Sequence, residues 1–303
     1  MLTLQLVFDA LSLGGIYAVA ALGIALIFGV MRLVNFAHGQ FIAFAVFALI
    51  VPSTDAVAVM GLGAAPALVL VPTLLAVGAG LAVASEYLVF RPLRNASPVA
   101  LMVASFALGV VIQNSLLVAY GGRPKAISLW PELGKPVRLM GADVQMLQII
   151  VIGAVLLLLG VLGLMLKRSR LGLEMRAAAE DFGMARLLGV RANAVIAGAF
   201  ALSGALAAAV ALVLVAQTGV ADVRMGGQIM LIAFIATVVG GMGSLPGAVA
   251  AGFVLGAVSV ALQATLPIEA RPFRDAFLYG LVILVLLLRP QGLFATASAK
   301  PRV

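Results

Sequence analysis

Long apolar runs separated by short polar loops fill this chain almost from end to end. A helix rises about 1.5 Å per residue, so about 20 apolar residues cross a hydrocarbon core of roughly 30 Å. Such runs lie near 6–30, 40–61, 65–90, 98–120, 145–166, 194–216, 227–242, 247–266 and 274–289. The pattern predicts an all-α polytopic membrane protein with about nine spans, the seventh and ninth being short. Ser97-Pro98 predicts a helix start, with serine as N-cap and proline at the first helical position, where its missing N–H costs nothing. Pro52, Pro66 and Pro72 predict kinks or interruptions in the second and third spans.

The charges orient these spans. Met1 to Met31 contains no Lys or Arg, whereas Lys167 to Arg191 holds six. Lys and Arg are retained preferentially on the cytoplasmic side during insertion, so the loop 167–193 is placed inside. Alternation then puts Arg32, Arg91 and Arg94 inside, together with the tail that carries Arg289, Lys300 and Arg302. The N-terminus is outside and the C-terminus inside. Segment 121–143 falls outside although it carries Arg123, Lys125, Lys135 and Arg138. Moving it inside would expel the more basic 167–193 loop.

Composition narrows the chemistry. Only 10% of the 303 residues are charged and 64% are hydrophobic, whereas a soluble domain carries about 25% charged residues. The net charge of +8 resides in short loops, which topology explains better than a nucleic-acid surface does. With no cysteine there are no disulfides or thiolate metal sites, and the single histidine, His38, excludes a multi-histidine metal centre within one chain. No cofactor is expected. The N-terminus lacks a basic leader and a cleavage site and reads as mature transmembrane sequence.

A few polar motifs interrupt the apolar pattern. In Asn35-Phe36-Ala37-His38-Gly39-Gln40-Phe41, the side chains of Asn35, His38 and Gln40 either satisfy orphan backbone groups at a helix end or line a pathway or gate. Gln113 and Asn114 inside the fourth span are further pathway candidates, and Gln217 is another intramembrane polar residue. Asp9 and Glu86 lie near span ends, where pairing or snorkelling suffices. Gly240 to Gly247, GGMGSLPG, lacks the Lys-Ser/Thr ending of a phosphate loop and reads as a tight turn between closely packed helices. The sequon Asn95-Ala96-Ser97 falls on the cytoplasmic side and has no consequence there. In loop 167–193, Arg176 to Leu188 predicts a short alanine-rich helix with Gly183 inside it and Gly189 as its stop. Either this is a solvated basic loop that only sets topology, or its small face docks in a groove on a partner, the reading that five alanines favour, with Ala177, Ala178, Glu180, Asp181, Gly183, Arg186 and Gly189 as the docking residues.

The stretches 14–41 (GGIYAVAALGIALIFGVMRLVNFAHGQF), 90–94 (FRPLR), 168–190 (RSRLGLEMRAAAEDFGMARLLGV), 238–256 (VVGGMGSLPGAVAAGFVLG) and 286–294 (LLLRPQGLF) together resemble the permease subunits of branched-chain amino-acid ABC importers, the Liv type. They occur in order over nearly the whole chain. The resemblance implies a multi-pass permease of a bacterial inner membrane, one transmembrane domain over residues 1–303, in contact with membrane lipid. It implies a homologous second permease subunit, two cytoplasmic ATPase subunits and a periplasmic substrate-binding protein, and no nucleic acid. Residues Ala177 to Gly189 match the family's ATPase-docking region, so this subunit is not an enzyme and carries no ATPase site of its own. The solute implied is a branched-chain or other hydrophobic amino acid; relatives that carry urea, amides or aromatic acids share the architecture and are the alternative.

Overall fold

The computed structural model describes residues 2–55, 57–139 and 142–294; the tail residues Lys300 and Arg302 lie outside them. Eleven helices appear among the described residues: α1 (Leu2–Met31), α2 (His38–Phe47), α3 (Ala67–Ser85), α4 (Pro98–Tyr120), α5 (Met146–Arg168), α6 (Arg170–Glu180), α7 (Phe182–Leu187), α8 (Ala192–Thr218), α9 (Met225–Gly240), α10 (Leu245–Thr265) and α11 (Arg274–Leu288). Four short strands, β1 (Lys125–Ala126), β2 (Pro136–Leu139), β3 (Ala142–Gln145) and β4 (Val220–Ala221), pair β1 with β4 and β2 with β3, both antiparallel. Six helices, α1, α3, α4, α5, α8 and α10, are long and apolar enough to cross a membrane; α2 and α9 are shorter apolar helices. The chain is an all-α multi-pass membrane protein.

Two compact units make up the chain. The first combines Met1–Ala25, Trp130–Leu162 and Ile232–Val303; the second combines Leu26–Leu129 and Gly163–Leu231. Lipid tails are as apolar as leucine, so helices in a bilayer associate through close packing rather than water exclusion. Small residues spaced four apart supply that packing in each unit. In the first, a Cβ at Gly252 or Gly256 of α10 would strike the backbone of Ala18 or Gly14 of α1. In the second, Gly78 and Ala82 of α3 face Gly204 and Ala208 of α8, each glycine lying directly over the other's carbonyl oxygen. The same device joins α2 to the start of α9, through Gly39 and Gly226.

The second apolar run departs from expectation. A continuous helix over 40–61 is not formed: helix covers only His38–Phe47, followed by a bridge between Ile50 and Met60. Pro52, Ser53 and Asp55 occupy the intervening hairpin, where proline and short polar side chains favour turns. The packed segment also begins before residue 40. Phe36 N–H donates to Ser105 Oγ at 3.1 Å, and Gly109 faces Ala37 and Gln40. Ser105 and Gly109 stand about 10 and 16 Å up α4 from Pro98, by helical rise. The other end of α2 meets the far end of α4, where Tyr120 Oη donates to the Phe47 carbonyl at 3.0 Å. Residues 33–37 therefore enter as non-helical chain and α2 begins half-way along α4. Non-helical backbone at membrane depth requires burial in protein, and Leu33, Val34, Asn35 and Ala37 are all buried.

The third and fourth spans follow expectation more closely. Helix α3 starts after Pro66 and continues through Pro72 into a π-helical turn, Glu86–Phe90. Ser97 Oγ accepts the Ala100 N–H as the N-cap of α4, with Pro98 at the first position.

Candidate functional site

In the second unit, one end gathers the basic loops. Arg94 donates to Glu86 Oε1 and to Asn193 Oδ1, tying the end of α3 to the start of α8. Arg32 Nη2 donates to the Ala179 carbonyl at 2.9 Å. The opposite ends of α4 and α8 lead to β1 and β4, which pair there. Lys125 is buried and donates from Nζ to the Asp55 carbonyl and to Ser53 Oγ, drawing the hairpin after α2 to the same end. Arg32 and Arg94 thus share an end with loop 167–193, and segment 121–129 lies at the other.

Loop 167–193 forms two helices rather than the single helix expected over Arg176 to Leu188. Ser169 Oγ accepts the Gly172 N–H and caps α6. Asp181 then adopts an extended backbone, which ends α6, and its Oδ1 accepts the Met184 N–H at 2.9 Å, which starts α7. The side chain that interrupts the helix also pays for the next one. Gly183 sits in the first turn of α7 and is exposed. Gly189 is the stop: its φ is +88°, and Gly189 N–H and Val190 N–H close on the carbonyls of Arg186 and Ala185 in a Schellman pattern.

Which face is free differs from the sequence reading. Gly172, Met175, Ala178 and Ala185 are buried, and α6 packs against α8. Ala178 therefore faces its own chain and cannot be a docking residue: a three-residue period turns Met175 and Ala178 to the same inner side of α6. Ala177 is half-buried, while Glu180, Asp181, Gly183, Arg186 and Gly189 are exposed. Sequence reasoning missed the apolar members of this surface. Leu173, Met184, Leu187 and Leu188 project from it, with Leu187 and Leu188 about four-fifths exposed (83% and 79%). Their signal was present: Met184, Leu187 and Leu188 are apolar residues in a loop that carries six Lys and Arg.

The polar turn at the start of α2 is buried. Asn35 Oδ1 accepts the Ala37 N–H at 3.0 Å, so it caps backbone as a helix-end residue does. His38 Nδ1 lies 3.0 Å from Ser203 Oγ of α8, and both side chains are fully buried. Ser203 is about 16 Å along α8 from Ala192, the same depth as Gly109 on α4. Asn35 Nδ2 and Gln40 Oε1 are buried, with no hydrogen-bond partner among the described residues. The structure thus brings Asn35, His38, Gln40, Ser105 and Ser203 to one level. It does not bring Asn114 there: that side chain is exposed and donates to the Val110 carbonyl of its own helix at 2.8 Å. Gln113 is half-buried, and among the described residues no hydrogen bond joins it to this turn. Gln217 is exposed. Asp9 accepts from Gln148 Nε2 at 2.6 Å in the first unit, and Glu86 pairs with Arg94, so both carboxylates are structural partners. No cluster of three or more metal-ligating side chains occurs among the described residues.

In the first unit, Gly240 to Gly247 is a close turn. Gly241 and Gly243 take positive φ (+100° and +96°), Ser244 Oγ accepts the Gly247 N–H, and Gly240 and Gly247 are too close to admit a Cβ at either. Leu293 N–H donates to the Val239 carbonyl at 2.7 Å, which brings the end of the described chain to the same turn.

The profile of the family described as branched-chain amino acid transport system, permease component, matches residues 6–286. The chain belongs to this family. The permease is 34% identical over 301 residues to the high-affinity branched-chain amino acid transport system permease protein BraD of Pseudomonas aeruginosa PAO1, covering 96% of this chain and 95% of BraD. It is 30% identical over 308 residues to the corresponding LivH protein of Escherichia coli K12, covering 96% and 94%. A probable branched-chain amino acid transport permease protein of Methanocaldococcus jannaschii is 29% identical over 289 residues, covering 90% and 86%. No solved structure matches the permease at a significant level.

Proposed function

We propose that this permease is the membrane-spanning subunit of an ABC importer for branched-chain or other hydrophobic amino acids, acting as one domain in a bacterial inner membrane. It pairs with a homologous second permease subunit and with two cytoplasmic ATPase subunits, and it receives solute from a periplasmic binding protein. The N-terminus is outside, the C-terminus inside, and the chain crosses about nine times, the second crossing being the discontinuous segment 33–50. The meeting of Arg32, Arg94 and loop 167–193 at one end supports this orientation, because alternation from the charge-placed loop puts Arg32 and Arg94 on the same side. The buried turn of Asn35, His38 and Gln40 lies on the solute pathway or its gate; discontinuous crossings at mid-depth are where transporters place such groups.

One observation carries the coupling part of this reading: the exposed apolar patch on α6 and α7, outside the membrane-crossing helices. Leu173, Met184, Leu187 and Leu188 are exposed on these two helices, as are Arg176, Glu180, Asp181 and Arg186, the apolar and charged residue types that interfaces combine. We assign this patch to the ATPase. Burying a leucine stabilises by about 1.5–3 kcal/mol. The double change Leu187→Asp, Leu188→Asp removes two such contributions and adds carboxylates, so ATPase affinity falls by at least about a hundred-fold. Membrane insertion stays intact, because both residues are solvent-facing. Co-purification of the ATPase with the doubly substituted permease at the normal level, with normal solute uptake, refutes the assignment.

A further inference from the structure

Arg32 joins two regions that the sequence places far apart. Its φ is +55°, one of two positive φ values outside glycine among the described residues. Left-handed backbone is strained for an arginine, so something must hold it there. The guanidinium supplies that: Nη2 donates to the Ala179 carbonyl across 147 residues of chain. Ala179 belongs to the last turn of α6, whose terminal carbonyls lack intrahelical partners, and a cation suits the negative end of the helix dipole. Two residues later Asp181 breaks the chain between α6 and α7. On the other side of Arg32, residues 33–37 lead directly into α2. That link has no slack: it is non-helical, its side chains at Leu33, Val34, Asn35 and Ala37 are buried, and its Phe36 N–H is fixed to Ser105.

We propose that Arg32 is the positioning residue that couples the α6–α7 pair to the discontinuous crossing, so that a displacement of α6 reaches the buried turn Asn35–Gln40. The inference rests on the ATPase-docking reading of α6 and α7. Arg32 touches no solute; it transmits position through one hydrogen bond and a short, packed stretch of backbone. The Phe28 carbonyl bonded to Arg32 N–H at 2.8 Å anchors the near side of this link to the end of α1, which leaves the guanidinium as its adjustable arm.

The test uses the complete transporter, both permeases with ATPases and binding protein, reconstituted in liposomes, and reads solute taken up per ATP hydrolysed. Arg32→Gly removes the guanidinium and fits the left-handed backbone, so folding is not compromised. It is expected to retain bound ATPase, to melt no lower than the parent and to hydrolyse ATP. Its solute-per-ATP ratio falls at least about five-fold, the lower end of typical coupling between sites. Arg32→Lys keeps a cation and a donor long enough to reach the carbonyl, and restores most of the ratio. An unchanged ratio in Arg32→Gly overturns the proposal. So does loss of the ATPase in that variant, which makes Arg32 part of the docking surface, and so does an Arg32→Lys variant as uncoupled as glycine, which makes backbone freedom the cause. Failure of the docking reading shows elsewhere, as retained ATPase in the Leu187→Asp, Leu188→Asp variant.

Discussion

Alanine at Gly78 and alanine at Gly80 differ by two positions on α3 and test what holds the second unit together. Gly78 lies against α8: a Cβ there would fall on the Gly204 carbonyl and the Ala208 methyl. At Gly80 nothing lies within 4 Å of such a Cβ. Both substitutions remove the same helical penalty of glycine, roughly 0.8–1 kcal/mol. Only the first forces the helices apart, by on the order of 1 Å. A gap of 0.5–1 Å forfeits about a quarter to a half of each dispersion contact, each worth about 0.1–0.2 kcal/mol. One buried side chain's share of about 40–60 contacts then loses about 1–6 kcal/mol, and the lower part of that range agrees with the roughly 1–3 kcal/mol cost of overpacking. After the propensity gain, Gly78→Ala is expected to destabilise by up to about 2 kcal/mol, and Gly80→Ala to be neutral or stabilising by up to about 1 kcal/mol. Denaturant titration in mild detergent, monitored by circular dichroism, reads the difference. Equal stabilities for the two variants would refute the close-approach argument, and a more stable Gly78→Ala would invert it.

Two further outcomes follow from the ends of the helices. The permease has no native cysteine, and Ser128 and Glu180 are both exposed, so an impermeant thiol reagent on intact spheroplasts should label Ser128→Cys and spare Glu180→Cys; the reverse pattern sinks the proposed orientation. Tyr120→Phe removes the hydroxyl from the Phe47 carbonyl while keeping the ring packed on Phe47 at 4.7 Å between centroids. The Phe47 carbonyl keeps the Ile50 N–H at 3.3 Å, so the loss is one hydrogen bond, about 0.5–1.5 kcal/mol, and the variant's unfolding midpoint in the same titration should drop slightly; an unchanged midpoint means that the helix end is satisfied without Tyr120.

What the sequence made legible was whatever a window along the chain can register. Helix α4 begins at Ser97-Pro98 because a cap and a proline are local signals, and Gly189 ends α7 because a left-handed stop is one too. The long helices follow from composition alone. The second crossing does not, because hydropathy weighs each residue by its own polarity and cannot see partners. Asn35, His38 and Gln40 read as a helix-end turn or a pathway lining, and the sequence could not name their partners: His38 meets Ser203, 165 residues away, and Phe36 meets Ser105, 69 residues away. Once those partners exist, polar side chains and non-helical backbone can be buried within the protein.

The docking face inverts the same lesson. Alanines were read as the surface that a partner approaches, but on an amphipathic helix the side that packs inward is set by period, and Gly172, Met175 and Ala178 recur every third residue. Gly172 brings α6 against the Leu166 backbone of α5 and Leu171 packs on Gly198 of α8, while the leucines of α7 stay exposed. A helix seated so closely on α8 is also one whose last carbonyl can stay within reach of Arg32. In the proposed coupling, Ala179 takes the guanidinium and the exposed leucines are what an ATPase would pull. Separating the two roles on opposite sides of one short helix pair allows a partner to grip one side while the other transmits the displacement.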